Sequence, residues 1–524
     1  MPVTFHLLLP LIFLLTVFGP GFQSVSIFPY FSLTLSLYYV THTQFFNLLF
    51  LSLALSLGST FAYLGVLQNH EWALEGILIT IGSCFLIGSV LTLPFVIYKV
   101  FLTRWSNLHL STLVFPISWT GVWIVYYYIS PIGSWGSYAY SQFGIEPIVQ
   151  LSSIAGISAI DFLLSWSASV FNLLLNWEYF NSFQTISGEE QPLLATQQRD
   201  RSSPAEIKLP WKKLTTPVGI YLSAVIVLFS YGAARHNILP GSFYMKFIDH
   251  AIVPTVKLGC VIGNNIESKQ SDYFDQTRDL ANKGGNIIIW SESAVSVENP
   301  KSYDSLMNQA RNVSATYGIY LGVTYNKQYP GEKYSQNMVT LFDPKGQIAY
   351  KYQKSHPVVI VESHIAPGPK VIPYVDTPEY GRLASAICFD LDFNTFMRQA
   401  GENEVDFLLQ PSWTWGPIGK YHSEIQSFRA VENGMNLLRC SSWSPSTVYD
   451  PFHHIYAYKQ NLGVGSMLAE VPLRRHTKTL YTIFGDLFAW CCFAATLLYV
   501  TVSWIPLATI GKWPALVQLL NAKQ

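Results

Sequence analysis

Eight apolar segments limit the folds that are open to this chain, because each is close to the length of a membrane-spanning helix. Such a helix needs about 20 predominantly apolar residues. Charged residues make up only 12% of the 524 residues, about half the share of a typical soluble domain. The predicted spans are Thr4–Phe22, Val25–Val40, Phe45–Gly65, Leu74–Tyr98, Leu110–Ile129, Ile148–Leu175, Pro217–Ala233 and Leu480–Leu507.

The distribution of these segments divides the chain into three parts. Residues 1–233 form a predicted membrane domain of about seven helices, and residues 234–478 have the mixed composition of a globular domain. Residues 479–524 hold a closing span and a short tail. Inside the first part, residues 187–213 are polar and rich in Glu, Gln, Ser and Pro, which predicts a flexible linker.

Lysine and arginine in the connecting segments predict the orientation of the chain, because such residues concentrate on the cytoplasmic side. Lys99 and Arg104 follow the fourth span, and the linker and the C-terminal tail are also basic. All three fall on one side if seven spans precede the globular part. We therefore expect a cytoplasmic N-terminus and a non-cytoplasmic globular domain. The membrane would be the inner membrane of a bacterium, or an endomembrane or plasma membrane in a eukaryote.

The first predicted span has an alternative interpretation, and the net charge bears on possible partners. Residues 1–22 could instead be a cleaved signal peptide, but they contain no Lys or Arg. The formal net charge of the chain is zero, so the composition does not predict a basic face for nucleic acid.

The globular part alternates short β-rich runs with amphipathic stretches, which predicts a layered α/β domain. The predicted strands are Val256–Ile262, Asn286–Trp290, Ile319–Thr324, Met338–Phe342, Leu383–Ile387 and Phe407–Gln410, and the predicted helices are Tyr273–Lys283, Lys301–Tyr317, Asn394–Glu402 and Glu424–Asn433.

Three polar residues follow β-rich runs of this domain, where α/β sheets present functional groups. Glu292 and Cys388 follow predicted strands, and Lys354 follows the run 347–352. A helix is predicted soon after Cys388. The sequence therefore predicts a sharp turn that exposes the sulfur, with a helix N-terminus that favours the thiolate.

These three residue types complement one another chemically. A thiol is mostly protonated near neutrality and needs a base, which Glu292 can provide. Attack on an acyl carbonyl produces an oxyanion, which Lys354 and a backbone N–H can stabilise. Alone, each residue has a structural alternative, since a cysteine after a strand is usually a packed core residue and a single Glu or Lys is usually solvated.

Motifs around the three residues resemble those of the nitrilase (carbon-nitrogen hydrolase) superfamily. The resemblance implies an αββα sandwich, with Glu292 as general base, Lys354 as oxyanion stabiliser and Cys388 as nucleophile. The motifs are Trp290-Ser-Glu-Ser-Ala294, Tyr352-Gln-Lys-Ser-His-Pro357 and Ala386-Ile-Cys-Phe-Asp390, with the supporting segments Gln410-Pro-Ser412 and Arg429-Ala-Val-Glu-Asn433.

Over nearly the whole chain, the order of several spans, a nitrilase-type domain and a closing span resembles the apolipoprotein N-acyltransferase family. The resemblance implies that Cys388 takes an acyl chain from a phospholipid as a thioester and passes it to an amine. In the bacterial family that amine is the N-terminus of a lipoprotein. The expected partners are thus a phospholipid donor, an amine acceptor such as a lipidated protein, and the membrane. No metal or organic cofactor is implied.

The resemblance also places four further residues near the site. Glu362 falls where the family has a second active-site glutamate, with a structural ion pair as the alternative. Trp413 and Trp415 fall in the family's substrate-side loop, with plain packing as the alternative. Asp390 stands where bacterial enzymes usually have Glu, and we expect it on the substrate side, where it would bear on acceptor specificity.

Other functions fit the same residues. A membrane-tethered amidase or nitrilase could act on a small amide, although it would have no need of lipid-holding spans. A scaffold that has lost its activity would not be expected to retain all three catalytic residues.

The remaining cysteines of the globular part are Cys260 and Cys440. They have no CxxC or metal-ligand spacing, so the sequence predicts neither a metal site nor a disulfide framework. A pairing between these two cysteines stays open.

Overall fold

A computed structural model of the chain describes residues 6–65, 74–104, 108–176, 211–237, 254–263, 268–359, 361–414, 416–460 and 463–504. Most of the predicted linker, residues 187–210, lies outside these ranges, as do Trp415 and the tail after Trp504.

The N-terminal part and the closing segment are helical, as their apolar composition predicts. Ten helices precede the globular domain and two follow it in the described residues. They are α1 (Leu8–Val17), α2 (Phe28–His42), α3 (Leu48–Ala62), α4 (Leu74–Leu91), α5 (Leu93–Arg104), α6 (Leu108–Ile129), α7 (Glu146–Val149), α8 (Ser152–Ala155), α9 (Ile157–Leu175), α10 (Trp211–Asn237), and, after the globular domain, α15 (Leu480–Phe484) and α16 (Leu487–Trp504).

Six helical stretches of the described residues are long and apolar enough to cross a membrane. They are Phe45–Ala62, Ile81–Thr103, Leu110–Ile129, Ile157–Leu175, Thr215–Asn237 and Leu487–Trp504. Each corresponds to one of the eight predicted spans. The other two predicted spans, Thr4–Phe22 and Val25–Val40, contain the shorter helices α1 and α2, because the Gly19-Pro20-Gly21 turn and its surroundings interrupt the helical backbone.

The outer helices present apolar side chains outwards, as expected of lipid-facing surfaces. On α10 the side chains of Leu222, Ile226 and Val227 are 52–66% exposed. On α16, Leu497 and Leu498 are likewise exposed. By contrast, α9 is mostly buried and packs between α2 and α6. The helix α10 also begins at Trp211 and ends at Asn237, so it is longer at both ends than the predicted span Pro217–Ala233.

The globular domain consists of two mixed β-sheets with helices on their outer faces, which confirms the predicted αββα class. One sheet has the order β13-β1-β2-β4-β5-β6, with β3 paired to β4, and the other has the order β12-β11-β10-β9-β8-β7. The strands are β1 (Thr255–Ile262), β2 (Ile287–Trp290), β3 (Val295–Val297), β4 (Tyr320–Lys327), β5 (Gln336–Phe342), β6 (Ile348–Gln353), β7 (Tyr374–Thr377), β8 (Gly381–Ser385), β9 (Phe407–Trp413), β10 (Asn436–Ser442), β11 (Pro445–Tyr449), β12 (Ile455–Gln460) and β13 (Gly465–Pro472).

Four helices cover these sheets, and the apolar side chains of both sheets meet in a shared core. The helices α11 and α12 pack on the first sheet, and α14 packs on β10 and β11 of the second. Helix α14 begins eight residues earlier than the predicted helix Glu424–Asn433. The helices are α11 (Gln270–Asn282), α12 (Pro300–Tyr317), α13 (Asn394–Glu402) and α14 (Gly416–Asn433).

A disulfide between Cys260 and Cys440 joins the two sheets, since Cys260 lies on β1 and Cys440 on β10. The pairing of these two cysteines, which the sequence left open, is therefore formed as a single bond between the sheets. The spacing of the cysteines could not reveal it, because 180 residues separate them and only the packing of the sheets brings them together.

Buried polar contacts attach this domain to the helical part. The N–H of Ile157, at the start of α9, donates to Glu432 Oε1 over 3.0 Å. Arg429 pairs with the other oxygen of Glu432 at 2.8 Å, and all of these groups are buried. Arg235 of α10 donates to the Pro451 carbonyl at 2.9 Å. Helix α14 therefore contacts both parts of the molecule.

Candidate active site

The structure brings Glu292, Lys354 and Cys388 together between the two sheets. Glu292 follows β2 after one residue, Lys354 directly follows β6, and Cys388 lies in the segment after β8. Their side chains are almost completely buried, with relative exposures of 2%, 1% and 2%. The structure thus places the three side chains next to one another, and the catalytic roles expected of them stay predictions.

Lys354 forms the centre of the charged group. Its Nζ donates to Glu292 Oε1 over 2.8 Å and lies 2.7 Å from Glu362 Oε2. Burial disfavours the charge on Lys354, but the two carboxylates and the nearby thiol outweigh it and raise the pKa of Lys354 well above its usual value. Lys354 is therefore an ammonium that can stabilise negative charge, and it is not available as a base.

Glu292 lies between this ammonium and the thiol. Asn337 Nδ2 and Lys354 Nζ both donate to its Oε1 at 2.8 Å, and the Cys388 thiol is a further hydrogen-bonding partner. Burial raises the pKa of Glu292, Lys354 lowers it and Glu362 raises it, with a net upward direction. A carboxylate with a raised pKa is a stronger base than an ordinary glutamate, which suits proton abstraction from a thiol.

Cys388 begins a short 3-10 helix, Cys388–Asp392, and has a φ of +47°. Ser412 Oγ donates to its sulfur at 3.2 Å. Burial and the neighbouring Glu292 raise the pKa of Cys388 to about 12, although Lys354 lowers it. Two expectations are thus corrected: the sulfur is buried, and the thiol rather than the thiolate is the resting form, because burial and a carboxylate oppose a second negative charge.

Asp390 ties the turn of Cys388 to the segment that follows Lys354. One of its oxygens accepts from the Ile387 N–H at 2.9 Å and from the Tyr352 hydroxyl at 2.7 Å. The other accepts from the N–H groups of Ser355 and His356 at 3.1 and 2.8 Å. Asp390 is fully buried and bonded to protein groups, so it ties these two segments together, and its expected place on the substrate side stays a prediction.

Glu362 and Trp413 complete the set of predicted residues in the described part of the chain. Glu362 is partly exposed, contacts Lys354, and accepts from the Val358 N–H at 2.6 Å, so it lies at the edge of the charged group. The Trp413 carbonyl lies 3.8 Å from the Cys388 sulfur. Trp413 therefore belongs to the immediate surroundings of the sulfur through its backbone.

Sequence reasoning missed several polar residues around this centre. Asn337 donates a hydrogen bond that orients Glu292. Asn337 lies two residues before the buried Val339 on β5, and this alternation could have predicted that its side chain points inwards. Gln426 Nε2 donates to the Cys388 carbonyl at 2.9 Å, and Arg439 donates to Gln426 Oε1 at 2.5 Å. Arg439 lies on β10, a strand that was not predicted, so no sequence signal identified it.

This fold and this site define a domain of the carbon-nitrogen hydrolase class. Residues 263–478 match the sequence profile described as carbon-nitrogen hydrolase. An amidase from Nesterenkonia sp., 18% identical, aligns with 43% of this chain and 94% of its own, with a TM-score of 0.36.

Other relatives align with both the helical part and the globular domain. An apolipoprotein N-acyltransferase from Geobacter metallireducens is 22% identical over 448 residues, which is 80% of this chain and 79% of that protein. Apolipoprotein N-acyltransferase 2 from Treponema denticola is 20% identical over 419 residues, 71% of this chain and 74% of that protein. The resemblance predicted from the motifs is thereby confirmed: the chain joins a carbon-nitrogen hydrolase domain to apolar helices and is similar to the apolipoprotein N-acyltransferases.

Proposed function

We propose that this protein moves an acyl chain from a phospholipid to an amine through a thioester on Cys388. The observation that carries the proposal is a buried thiol, flanked by a carboxylate and an ammonium, in a domain attached to lipid-facing helices. The names of the relatives, apolipoprotein N-acyltransferases, support the transfer of an acyl chain to a nitrogen of an apolipoprotein. The apolar helices suit the acyl chain of a membrane lipid, and the globular domain suits a polar amine.

In the first half-reaction, Glu292 takes the proton of Cys388 while the sulfur attacks the ester carbonyl of the phospholipid. The resulting oxyanion is stabilised by the Lys354 ammonium, which lies beside both groups. The carbon–oxygen ester bond then breaks, and Glu292 returns the proton to the departing lysophospholipid alkoxide. The products are a neutral lysophospholipid alcohol and a thioester on Cys388.

In the second half-reaction, the acceptor amine attacks the thioester carbonyl. Glu292 accepts a proton from the amine nitrogen, and the carbon–sulfur bond breaks to release an amide. The thiolate of Cys388 is then protonated by Glu292, which restores the initial state. The net change is one ester and one amine converted to one amide and one alcohol.

The surroundings of the thioester favour transfer over hydrolysis. Cys388, Glu292 and Lys354 are shielded from solvent, which limits the access of water. The polar residues Ser412 and Gln426 already occupy the inner side of the turn. We therefore expect the acyl donor and the acceptor to approach from the side of the partly exposed Glu362 or from the helical domain.

We also propose that the globular domain lies on the non-cytoplasmic side. The disulfide between Cys260 and Cys440 supports this orientation, because such bonds persist in oxidising compartments and are rare in the cytosol. The distribution of Lys and Arg in the connecting segments independently favours it.

The proposal is tested by following both products of turnover. The purified protein is incubated in detergent with a defined phospholipid and a diacylated peptide with a free amino-terminal cysteine. We expect lysophospholipid and N-acylated peptide to form in equal amounts, in wild type and in Cys84→Ala, but not in Cys388→Ala. Release of ammonia from small aliphatic amides, without lysophospholipid, would contradict the proposal and favour an amidase.

A further inference from the structure

The loop after α6 reaches out of the helical domain and contacts the turn that carries Cys388. Ser134 is buried in this loop, and both its N–H and its hydroxyl donate to the carbonyl of Asp392, at 2.9 and 2.8 Å. Asp392 is the last residue of the 3-10 helix that begins at Cys388. A loop of the helical domain thus holds one end of the segment whose other end bears the sulfur.

The turn is also held from the opposite side. The Asp392 carboxylate accepts from Gln426 Nε2 at 3.2 Å and contacts His422 Nε2 at 2.6 Å. Gln426 donates in addition to the Cys388 carbonyl. The two ends of the short helix are therefore fixed by α14 and by the loop, in a region where all of these side chains are buried.

Such restraint is needed because Cys388 adopts a backbone conformation that L-residues rarely occupy. A non-glycine residue at a φ of +47° is strained, and this conformation persists only where the surroundings hold it firmly. Release of one end would allow the turn to relax, and the sulfur would move away from Glu292. The thiol would then lose its base.

The loop itself is anchored by a chain of hydrogen bonds. Arg429 Nη2 donates to the Tyr140 hydroxyl at 2.8 Å, and that hydroxyl lies 2.5 Å from Ser134 Oγ. Since the Ser134 hydroxyl donates to Asp392, Tyr140 is the donor in its contact with Ser134. The contact runs without interruption from α14, through the loop, to the turn of the nucleophile.

We infer that Gly133 and Ser134 are positioning residues, through which the helical domain sets the geometry of Cys388. The inference rests on the proposed role of Cys388 as nucleophile. Gly133 has a φ of +59°, and a Cβ there would lie 2.3 Å from the Asp392 carbonyl oxygen. Only glycine allows this approach of the loop to the turn. The helical domain is thus part of the catalytic apparatus as well as an anchor and a lipid-holding surface.

The inference is tested by the reactivity of Cys388 towards iodoacetamide, a small probe that needs no lipid. Site-specific alkylation is followed by peptide mass spectrometry in the full-length protein. Loss of one hydrogen bond in Ser134→Ala should slow alkylation about 2- to 10-fold. Gly133→Ala should slow it more than about 10-fold, since it displaces the turn. Both variants should also show an altered pH profile of alkylation, because the sulfur no longer lies beside the carboxylate of Glu292.

Matched controls lie in the same loop. Gly144 also has a positive φ, +84°, but a Cβ there would contact nothing within 4 Å, so Gly144→Ala imposes similar backbone strain without the collision. Ser141 is buried and donates to the Tyr138 carbonyl inside the loop. Gly144→Ala and Ser141→Ala should alkylate within about twofold of wild type. If Gly133→Ala fails to fold, the same measurement is made on Ser134→Ala and on Tyr140→Phe, which removes the hydroxyl that contacts Ser134.

The outcomes separate this inference from the proposed function. Slow alkylation of Ser134→Ala and Gly133→Ala with the altered pH profile supports positioning, even if no phospholipid acylates wild-type Cys388. Alkylation of both variants at the wild-type rate and with the wild-type pH profile would overturn it. A lowered melting temperature with an unchanged pH profile would likewise overturn it, because that result indicates a merely structural role.

Discussion

The reactivity of Cys388 depends on which of its neighbours carries the proton. Burial and the nearby carboxylate raise the pKa of Cys388 to about 12, so a free thiolate is rare near neutrality. The pKa of Glu292 is raised by burial, while Lys354 stays charged. In the proposed mechanism, proton transfer from the sulfur to Glu292 therefore accompanies attack on the substrate, beside the Lys354 ammonium.

Glu292→Gln tests this role with a side chain of nearly the same shape. We expect acylation of Cys388 to slow by about 100- to 10,000-fold, the range that general base catalysis contributes. The rate is measured as lysophospholipid released in a single turnover. Glu298→Gln changes an exposed glutamate a few residues away and should leave the rate unchanged. Equal rates in the two variants would show that Glu292 is not the base.

The rate of Cys388 acylation should also depend on pH through the ionisation of Glu292. Because the reaction needs ionised Glu292, the rate should fall as the pH falls through the raised pKa of that group. Burial is the main cause of the raised pKa, and the negative charge of Glu362 adds to it. Glu362→Gln should therefore shift the acid limb of the profile to lower pH. A shift to higher pH, or none, would contradict this electrostatic role of Glu362.

Sequence motifs predicted the candidate reacting groups but not the polar residues that surround them. Glu292, Lys354 and Cys388 lie within short recognisable motifs at strand ends. Asn337 and Arg439 become neighbours of the site only when the strands pair, so their roles depend on the register of the sheets. Asp390 illustrates the same limit, because its motif did not reveal the hydrogen bonds that it forms with the segment after Lys354.

Among the elements, the strands β1 and β10 are joined by the disulfide between Cys260 and Cys440. Removal of a native disulfide typically costs about 2–4 kcal/mol. The double variant Cys260→Ala with Cys440→Ala should thus melt roughly 5–15 °C lower than wild type in detergent. Cys84→Ala with Cys492→Ala removes two free buried cysteines and serves as the control. Equal melting temperatures for wild type and the Cys260 and Cys440 double variant would show that the bond does not stabilise the domain.

The predictability of the elements followed their composition. The central strands β1, β2, β4, β5, β8 and β9 were predicted because they are short apolar runs bounded by polar residues. The strand β10 was missed because it carries Arg439 and three serines or cysteines, which are buried only because the second sheet covers them. The helices α1 and α2 were predicted as spans because apolar content alone does not reveal where the backbone turns.

At the scale of the whole molecule, the orientation of the globular domain can be measured with a membrane-impermeant maleimide. Lys301→Cys places a thiol on an exposed position of α12. We expect it to be labelled from the non-cytoplasmic side of sealed vesicles, whereas Ser202→Cys, in the predicted cytoplasmic linker, should react only after permeabilisation. The unmodified chain provides the background from its own cysteines. The reverse pattern would place the catalytic domain in the cytoplasm.

The proposed function requires that Cys388 take an acyl chain directly from a phospholipid. The most direct test is the mass of the intact protein after incubation with phospholipid and no acceptor. We expect an added mass equal to one acyl chain, sensitive to hydroxylamine, present in Cys84→Ala and absent from Cys388→Ala. A folded wild-type protein that alkylates at Cys388 but gains no acyl mass from any of several phospholipids would contradict the claim.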